Sequence, residues 1–423
     1  MDTTRRSDAP DGDLTTPRSI SPTDISQFIR LEQCERYLRL RLRERAEGRD
    51  FLYAYDVAPQ SIPPLLTRSG ASFEGAVEAD IARQYPAIRF GPDRRRELHL
   101  THDNAETMQA LATLAMGQTV VLFQPRIEAT IANWWLRGDV DLLRAERDAA
   151  GTLRLLIADM KSSTASRVEH RLQVAFYHEM LTTLLTEAGI EHAPIELAIL
   201  YRGPVRESLP VPDGERDEAR EEQERQRQDA ERTLGTSTGL LDRVRDVDAY
   251  LGSVRDLVTG QDSTAHRVLR TDFEEIPFHL SYKCDGCLYN EYCMKRSAET
   301  DDLSLLPHIT EQDKRALQNA SITTTRQLSS LKTLVRQGEM GPDGKVHDRM
   351  TLVPSRGHSD TCERLAATWP VGPRLDELIH RALRYEHWKT KQGTALGYIP
   401  NRGYGSLPYS DAEQNPNLVR IFI

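Results

Sequence analysis

Ile157-Ala158-Asp159-Met160-Lys161 closes one apolar run, and Gly138-Asp139-Val140-Asp141 closes another upstream of it. Between 119 and 161 the pattern has period two, which predicts strands near 119–131, 134–145 and 153–161, with a turn at Asp148-Ala149-Ala150-Gly151. In that order the strands predict a meander. Side chains two apart on a strand share a face, so Asp159 and Lys161 point together while Leu155 and Ile157 bury the earlier part of that face. Asp141 and Asp159 then converge at one end of the sheet. Two carboxylates that close repel unless a cation lies between them, and oxygen-only ligation suits Mg²⁺ or Mn²⁺. Lys161 beside such an ion supplies a positive group that can orient an attacking water and stabilise charge developing on phosphorus. The competing reading of an isolated DxK tripeptide is a surface ion pair, worth about 0–1 kcal/mol.

Helices flank this region. One is expected at about 166–188, with Gln173 and Tyr177 four apart on one face, where an amide and a phenol can bond phosphate oxygens or carboxylates. The plainer reading is an amphipathic helix that buries Leu172, Ala175 and Phe176. Ile195 to Tyr201 reads as a further strand, which completes an α/β core. Upstream, Ser21-Pro22-Thr23-Asp24 has the form of a helix start, and the helix that follows carries Cys34. A second helix is expected over Gly70 to Tyr85, with Phe73, Val77 and Ile81 on one face and Glu74 and Glu78 on another. Residues 1–20 read as a disordered tail, and 213–232 as a charged helix or insertion with almost no apolar residue.

The ordered set Gly70-Ala-Ser-Phe-Glu74 with Glu78, Gly138-Asp-Val-Asp141, Asp159-Met-Lys161 and Gln173-Val-Ala-Phe-Tyr177 resembles the successive motifs of RecB-type PD-(D/E)XK nucleases. The resemblance covers roughly residues 21–300. It implies a restriction-endonuclease-like α/β core, a central mixed sheet flanked by helices. It also implies that Asp141 and Asp159 bind the metal, that Lys161 is catalytic, and that Gln173 and Tyr177 support the site. Many relatives carry His where this chain has Glu74; a carboxylate there can still reach an ion.

Cys284-Asp-Gly-Cys287 and Cys293 place three thiols within ten residues. In a reducing compartment such clusters ligate zinc or iron–sulfur rather than form disulfides. The residues alone leave the fourth ligand open among Cys34, Cys362, His279 and His308. The resemblance selects Cys34, because iron–sulfur RecB-like nucleases pair one Cys before the nuclease motifs with three after them. It implies a 4Fe–4S cluster that staples both ends of the domain, with Zn²⁺ as the alternative. A zinc deaminase is excluded, since its HxE and PCxxC pattern is missing.

At 423 residues, the chain is long enough for two or three domains. Its formal charge of -9 argues against a nucleic-acid partner unless basic residues are concentrated. They crowd at Arg36, Arg39, Arg41, Arg43 and Arg45, at Arg94 to Arg96, and at Arg381, Arg384, Lys389 and Lys391; solvated helix faces explain each patch equally well. No run of 18 apolar residues and no signal-peptide core occurs, so a cytoplasmic protein without membrane contact is expected. Residues 301–335 resemble a helix-hairpin-helix unit, although Asn319-Ala320-Ser321 replaces the usual glycines, so a plain helical module is the stronger reading. Residues 336–423 carry no recognisable chemistry; their final apolar run, 418–423, is either buried in this domain or the start of a further one. The expected function is an exonuclease or end-processing DNA nuclease preferring single strands or free ends, in repair or defence against foreign DNA. No P-loop occurs, so any helicase motor must be a partner. The rival is a non-catalytic nucleic-acid-binding or assembly module.

Overall fold

A computed structural model describes residues 18–57, 64–204, 213–340 and 346–390. Of the expected disordered tail 1–20, residues 1–17 lie outside the described residues, as do Lys391 and the run 418–423, whereas 18–20 form a strand rather than a disordered end. The chain divides into two compact units, 1–278 with 283–290, and 279–282 with 291–423.

In the first unit, β1 (Arg18–Ile20) leads into α1 (Pro22–Arg30) and α2 (Glu35–Glu47). Ser21 caps α1 as its sequence predicts. Its Oγ accepts the Asp24 N–H at 3.2 Å while the Asp24 carboxylate accepts the Ser21 N–H at 2.9 Å, a reciprocal cap worth about 1 kcal/mol. Then come α3 (Asp50–Tyr53), α4 (Pro64–Ala82), β2 (Ala87–Arg89), α5 (Pro92–Glu97) and α6 (Asn104–Ala112). Helix α4 begins six residues before the expected Gly70 and runs through it.

The centre of the unit is β3 (Thr119–Phe123), β4 (Arg126–Ile131), β5 (Trp134–Asp139), β6 (Leu142–Arg147) and β7 (Leu153–Lys161). The two long strands expected at 119–131 and 134–145 are therefore each broken in two. Pro125 cannot donate to a ladder and Gln124 has φ 53, so the ribbon bends there. The partner strand bends at the same level. Gln124 N–H bonds to the Asp141 carbonyl at 3.2 Å and Val140 N–H to the Pro125 carbonyl at 3.0 Å. Ala132 and Asn133, both at positive φ, close the ribbon's tip as a two-residue hairpin turn.

The bend sends the halves into different sheets. β4 and β5 join β1 in the order β1-β5-β4, while β3 and β6 enter a six-stranded sheet, β2-β3-β6-β7-β8-β9, completed by β8 (Glu196–Tyr201) and β9 (Leu240–Arg243). The expected meander survives as β3-β6-β7. β2 with β3 and β7 with β8 are parallel and the other pairs antiparallel, so the sheet is mixed.

Helices cover both faces, which is why β7 is buried nearly throughout and its alternation is lost. Leu156, Ala158 and Met160 join Phe73, Val77 and Ile81 of α4 in one core; apart from Ala158, each of these buried side chains contributes roughly 1.5–3 kcal/mol. α7 (Val168–Glu187) packs on β7 and β8 and alongside α1. The charged segment forms α8 (Asp213–Leu234), and Ala230 and Leu234 near its end are fully buried in the core, so it is more than a solvated insertion. α9 (Val247–Val254) lies on α7, and α10 (Thr264–Arg270) on α2. The fold is the expected mixed α/β core flanked by helices.

At the boundary between units, α11 (Asn290–Glu299) carries Cys293. The second unit holds α12 (Glu311–Asn319), α13 (Thr325–Ser330), the hairpin β10 (Lys332–Met340) and β11 (Val346–Pro354), α14 (Ser359–Ala366) and α15 (Leu375–Thr390). Leu303, Leu317 and Leu328 share one core with Leu365, Leu378 and Ile379. Among the described residues, apolar side chains from both sides of 335/336 thus share a core, and the β10–β11 hairpin lies between the helices that carry them. Cys362, left unassigned by the sequence, is buried in this core, its Sγ 3.5 Å from the Leu331 carbonyl.

Candidate active site

The last β6–β7 ladder pair is Leu142↔Ala158. Beyond it the Met160 N–H has no strand partner on that side, and the Asp141 carboxylate takes it at 2.7 Å. The bend at Val140 thus turns Asp141 onto the end of β7. There Asp159 is fully buried, and Lys161 Nζ lies 2.7 Å from its carboxylate and 3.8 Å from that of Asp141. The two aspartates and the lysine that the sequence singled out do meet.

The electrostatics follow from this crowding. Burial, with the Asp141 charge, pushes the Asp159 carboxyl well above the usual range against the pull of Lys161. Burial would pull Lys161 down, but the charges of Asp159 and Asp141 hold it above the ordinary lysine range. From α4, Glu74 joins the group: burial and then Asp141 raise its pKa, and Lys161 opposes them. Glu78, one helical turn on, is raised by burial and by Asp141 and is opposed by Arg89, whose Nη1 stands 2.9 Å away.

Four carboxylates thus share two cations: Lys161 Nζ lies 2.7 Å from Asp159 Oδ2, Arg89 Nη1 lies 2.9 Å from Glu78 Oε2, and Glu78 Oε1 is buried without a partner. Such an excess of buried carboxylate oxygen over cationic donors is what Mg²⁺ or Mn²⁺ would balance, so the donor set fits a hard divalent ion. Among the described residues, no three His, Cys, Asp or Glu side chains stand ready as a finished ion-binding group.

Gln173 and Tyr177 reach the site differently from the expectation. Neither bonds a carboxylate. The buried Tyr177 hydroxyl donates to the Asp139 carbonyl at 2.6 Å, and Gln173 Nε2 donates to that hydroxyl at 3.3 Å. Gly138 explains itself here: a Cβ would lie 2.7 Å from the Tyr177 ring and 3.1 Å from Pro22 Cδ. The pair braces the bend that delivers Asp141.

Two further groups, His170 and Arg126, escaped the sequence reading, and a third, Arg95, has a different role from the one expected. His170, in the first turn of α7, is buried, and its pKa is lowered to about 4 by burial and by the Lys161 charge. It sits three residues before Gln173 and seven before Tyr177, so helical periodicity alone could have placed it on their face. Arg126 grips the Asp139 carboxylate with Nε and Nη2 at 2.7 and 2.9 Å. Arg95, counted in a basic patch, is buried and bonded to Asp103 at 2.6 Å.

The arginines of α2 are also used internally. Arg41 and Arg45 pair with buried Asp24 at 2.6 and 2.7 Å, Arg39 bonds the Leu269 carbonyl, Arg43 bonds Glu47, and Arg36 stacks on Phe278 at 3.5 Å. The patch is therefore tied into the fold, and is not the solvated helix face of the plain reading. In the third patch, Arg381 bonds the Pro307 carbonyl and Lys389 pairs with Asp301 and Glu386.

Residues 31–294, well over half of the chain, match the model of the PD-(D/E)XK nuclease superfamily. The chain belongs to that superfamily. Its chemistry is metal-dependent phosphodiester hydrolysis on DNA, generally with Mg²⁺ or a similar divalent ion, and the matched span contains every motif of the site. No curated protein matches the chain significantly. No helix among the described residues is long and apolar enough to cross a membrane.

None of the five cysteines is in a disulfide. Within the first unit, Cys34 precedes α2 and Cys284 and Cys287 flank a tight turn. Burial raises the Cys34 thiol, and the nearby Cys284 adds to the effect. Cys287 is pushed up to about 12 by burial, with Cys34 and Cys284 adding to it. Cys34 and Cys287 thus each feel Cys284, although Cys34 is far from the other two in sequence.

Proposed function

We propose that the chain is a RecB-type DNA nuclease of the cytoplasm, an exonuclease or end-processing enzyme acting on single strands or free ends in repair or defence, alongside a helicase. The observation that carries this reading is the meeting of Asp141, Asp159 and Lys161 where the β5–β6 bend abuts the end of β7. Asp141, Asp159 and Glu74 would hold Mg²⁺ or Mn²⁺, which when bound polarises the phosphodiester and lowers the pKa of an attacking water. Lys161, its pKa raised, stays an ammonium at working pH and acts as a fixed cation toward the phosphate rather than as a base. Neutral His170 beside it offers an acceptor that can orient a water. Tyr177 and Gln173 act through the backbone, by holding Asp139 and hence the bend.

Cys34, Cys284, Cys287 and Cys293 would hold a 4Fe–4S cluster, with Zn²⁺ as the alternative. Support comes from the desolvated thiols of Cys34 and Cys287, each of which feels Cys284, and whose protons a soft metal displaces on binding. Iron with acid-labile sulfide supports the cluster; stoichiometric zinc without iron rejects it.

The function is tested with DNA labelled at either end, single- and double-stranded, with Mg²⁺ or Mn²⁺. Metal-dependent shortening from an end is expected, with Asp159→Ala and Lys161→Ala each lowering the rate about 10²–10³-fold. Salt-dependent binding without cleavage assigns the non-catalytic role instead.

A further inference from the structure

Helix α1 touches both the cysteine turn and the catalytic bend. Arg30 Nη2 donates to the Gly286 carbonyl at 2.7 Å, Gln27 Nε2 donates to the same oxygen at 3.1 Å, and Gln27 Oε1 steadies Arg30 Nε at 2.9 Å. Gly286 lies inside Cys284-Asp-Gly-Cys287, and a Cβ there would stand 3.0 Å from Arg30 Nη2, so glycine gives the guanidinium room to lie on the turn. At the other end of α1, Pro22 packs against Gly138 beside the Tyr177 ring. Asp24, ion-paired to Arg41 and Arg45, locks α1 to α2, the helix that follows directly on Cys34. A nine-residue helix fastened in this way is a stiff rod of about 13 Å.

We propose that α1 is a strut coupling the two sites, in which Arg30 and Gln27 are positioning residues. They tie the closed state of the Cys284–Cys287 turn to the placement of Gly138–Asp141, and so set how tightly the catalytic carboxylates hold their ion. The inference rests on the reading of Asp141 and Asp159 as ion ligands, and is independent of which group the thiols bind. When the turn loosens, α1 loses its C-terminal anchor. Pro22 then no longer confines Gly138, and Asp141 is held less firmly over β7.

The test uses the full-length chain with Arg30→Met/Gln27→Met, Gln27→Met and Arg30→Lys. Direct Mn²⁺ binding is measured by electron paramagnetic resonance without DNA, and amide exchange is followed at 136–141 and 282–290. The double variant is expected to bind Mn²⁺ roughly tenfold more weakly and to exchange faster at 136–141 as well as at the turn. Arg30→Lys, which keeps a donor for the Gly286 carbonyl, restores most of both. Gln27→Met gives a smaller shift of the same kind, and decides the matter if the double variant does not fold. Faster exchange confined to 282–290 with unchanged Mn²⁺ affinity overturns the coupling, as does a Lys variant no better than Met. Were the wild type to bind no Mn²⁺, the ion-ligand reading would fall, and exchange at 136–141 would still decide whether α1 couples the two segments.

Discussion

Asp159 is the residue at which the molecule's electrostatic strain is concentrated. It is fully buried beside a second carboxylate. Its folded pKa lies above the ordinary 3.8. The folded, metal-free chain therefore keeps this proton to higher pH than the unfolded chain does. The associated stability is complete below 3.8 and is lost as pH rises through the raised folded value. Asp24, Asp80 and Asp229 are shifted the opposite way, so the comparison with Asp159→Asn isolates the effect. In EDTA, urea midpoints of the wild type should fall behind those of Asp159→Asn as pH climbs above 3.8, and Mn²⁺ should reverse the difference. Parallel pH profiles would show that Asp159 carries no such strain. The aspartates and lysine were legible because DxK and GxxD at the ends of apolar runs fix their strand positions. His170 was not, since it belongs to no motif and owes its character to burial beside Lys161.

At the scale of elements, the decisive feature is the bent ribbon β3–β6. Period-two patterning shows strands but does not show where a ladder breaks, so two long strands were read where four short ones stand. Pro125 was the available signal; the matching bend at Val140 follows only from pairing, through the bonds between residues 124–125 and 140–141. Tyr177 holds this bend, and Tyr177→Phe leaves the part-buried Asp139 carbonyl without that donor. A loss of about 1–3 kcal/mol in urea denaturation is expected, with a lower cleavage rate at unchanged DNA affinity. An unchanged rate would mean that the bend needs no brace. The arginine-rich α2 shows the opposite limit of sequence reading. Its charges suggested a phosphate patch, yet Asp24, Glu47 and the Leu269 carbonyl already take them.

The chain divides into two compact units, and Glu74, Asp141 and Asp159 lie in the first. The packing of 303–331 with 362–382 is not legible in the sequence, because apolar residues on either side of the β10–β11 hairpin are far apart along the chain and meet only in the fold. An ion that binds the folded first unit alone stabilises it by mass action, about 2.7 kcal/mol at a hundredfold excess over Kd. Mn²⁺ should therefore slow amide exchange around 138–161 and leave 303–331 unaffected; equal protection of both would show that the ion binds elsewhere or acts on both cores. The central claim is that Asp141 and Asp159 share one divalent ion. Titration of Mn²⁺ into the wild type, Asp141→Ala and Asp159→Ala, followed by electron paramagnetic resonance, tests it most directly. The account predicts a site present in the wild type and lost in both variants, whereas wild-type affinity in either variant would contradict it.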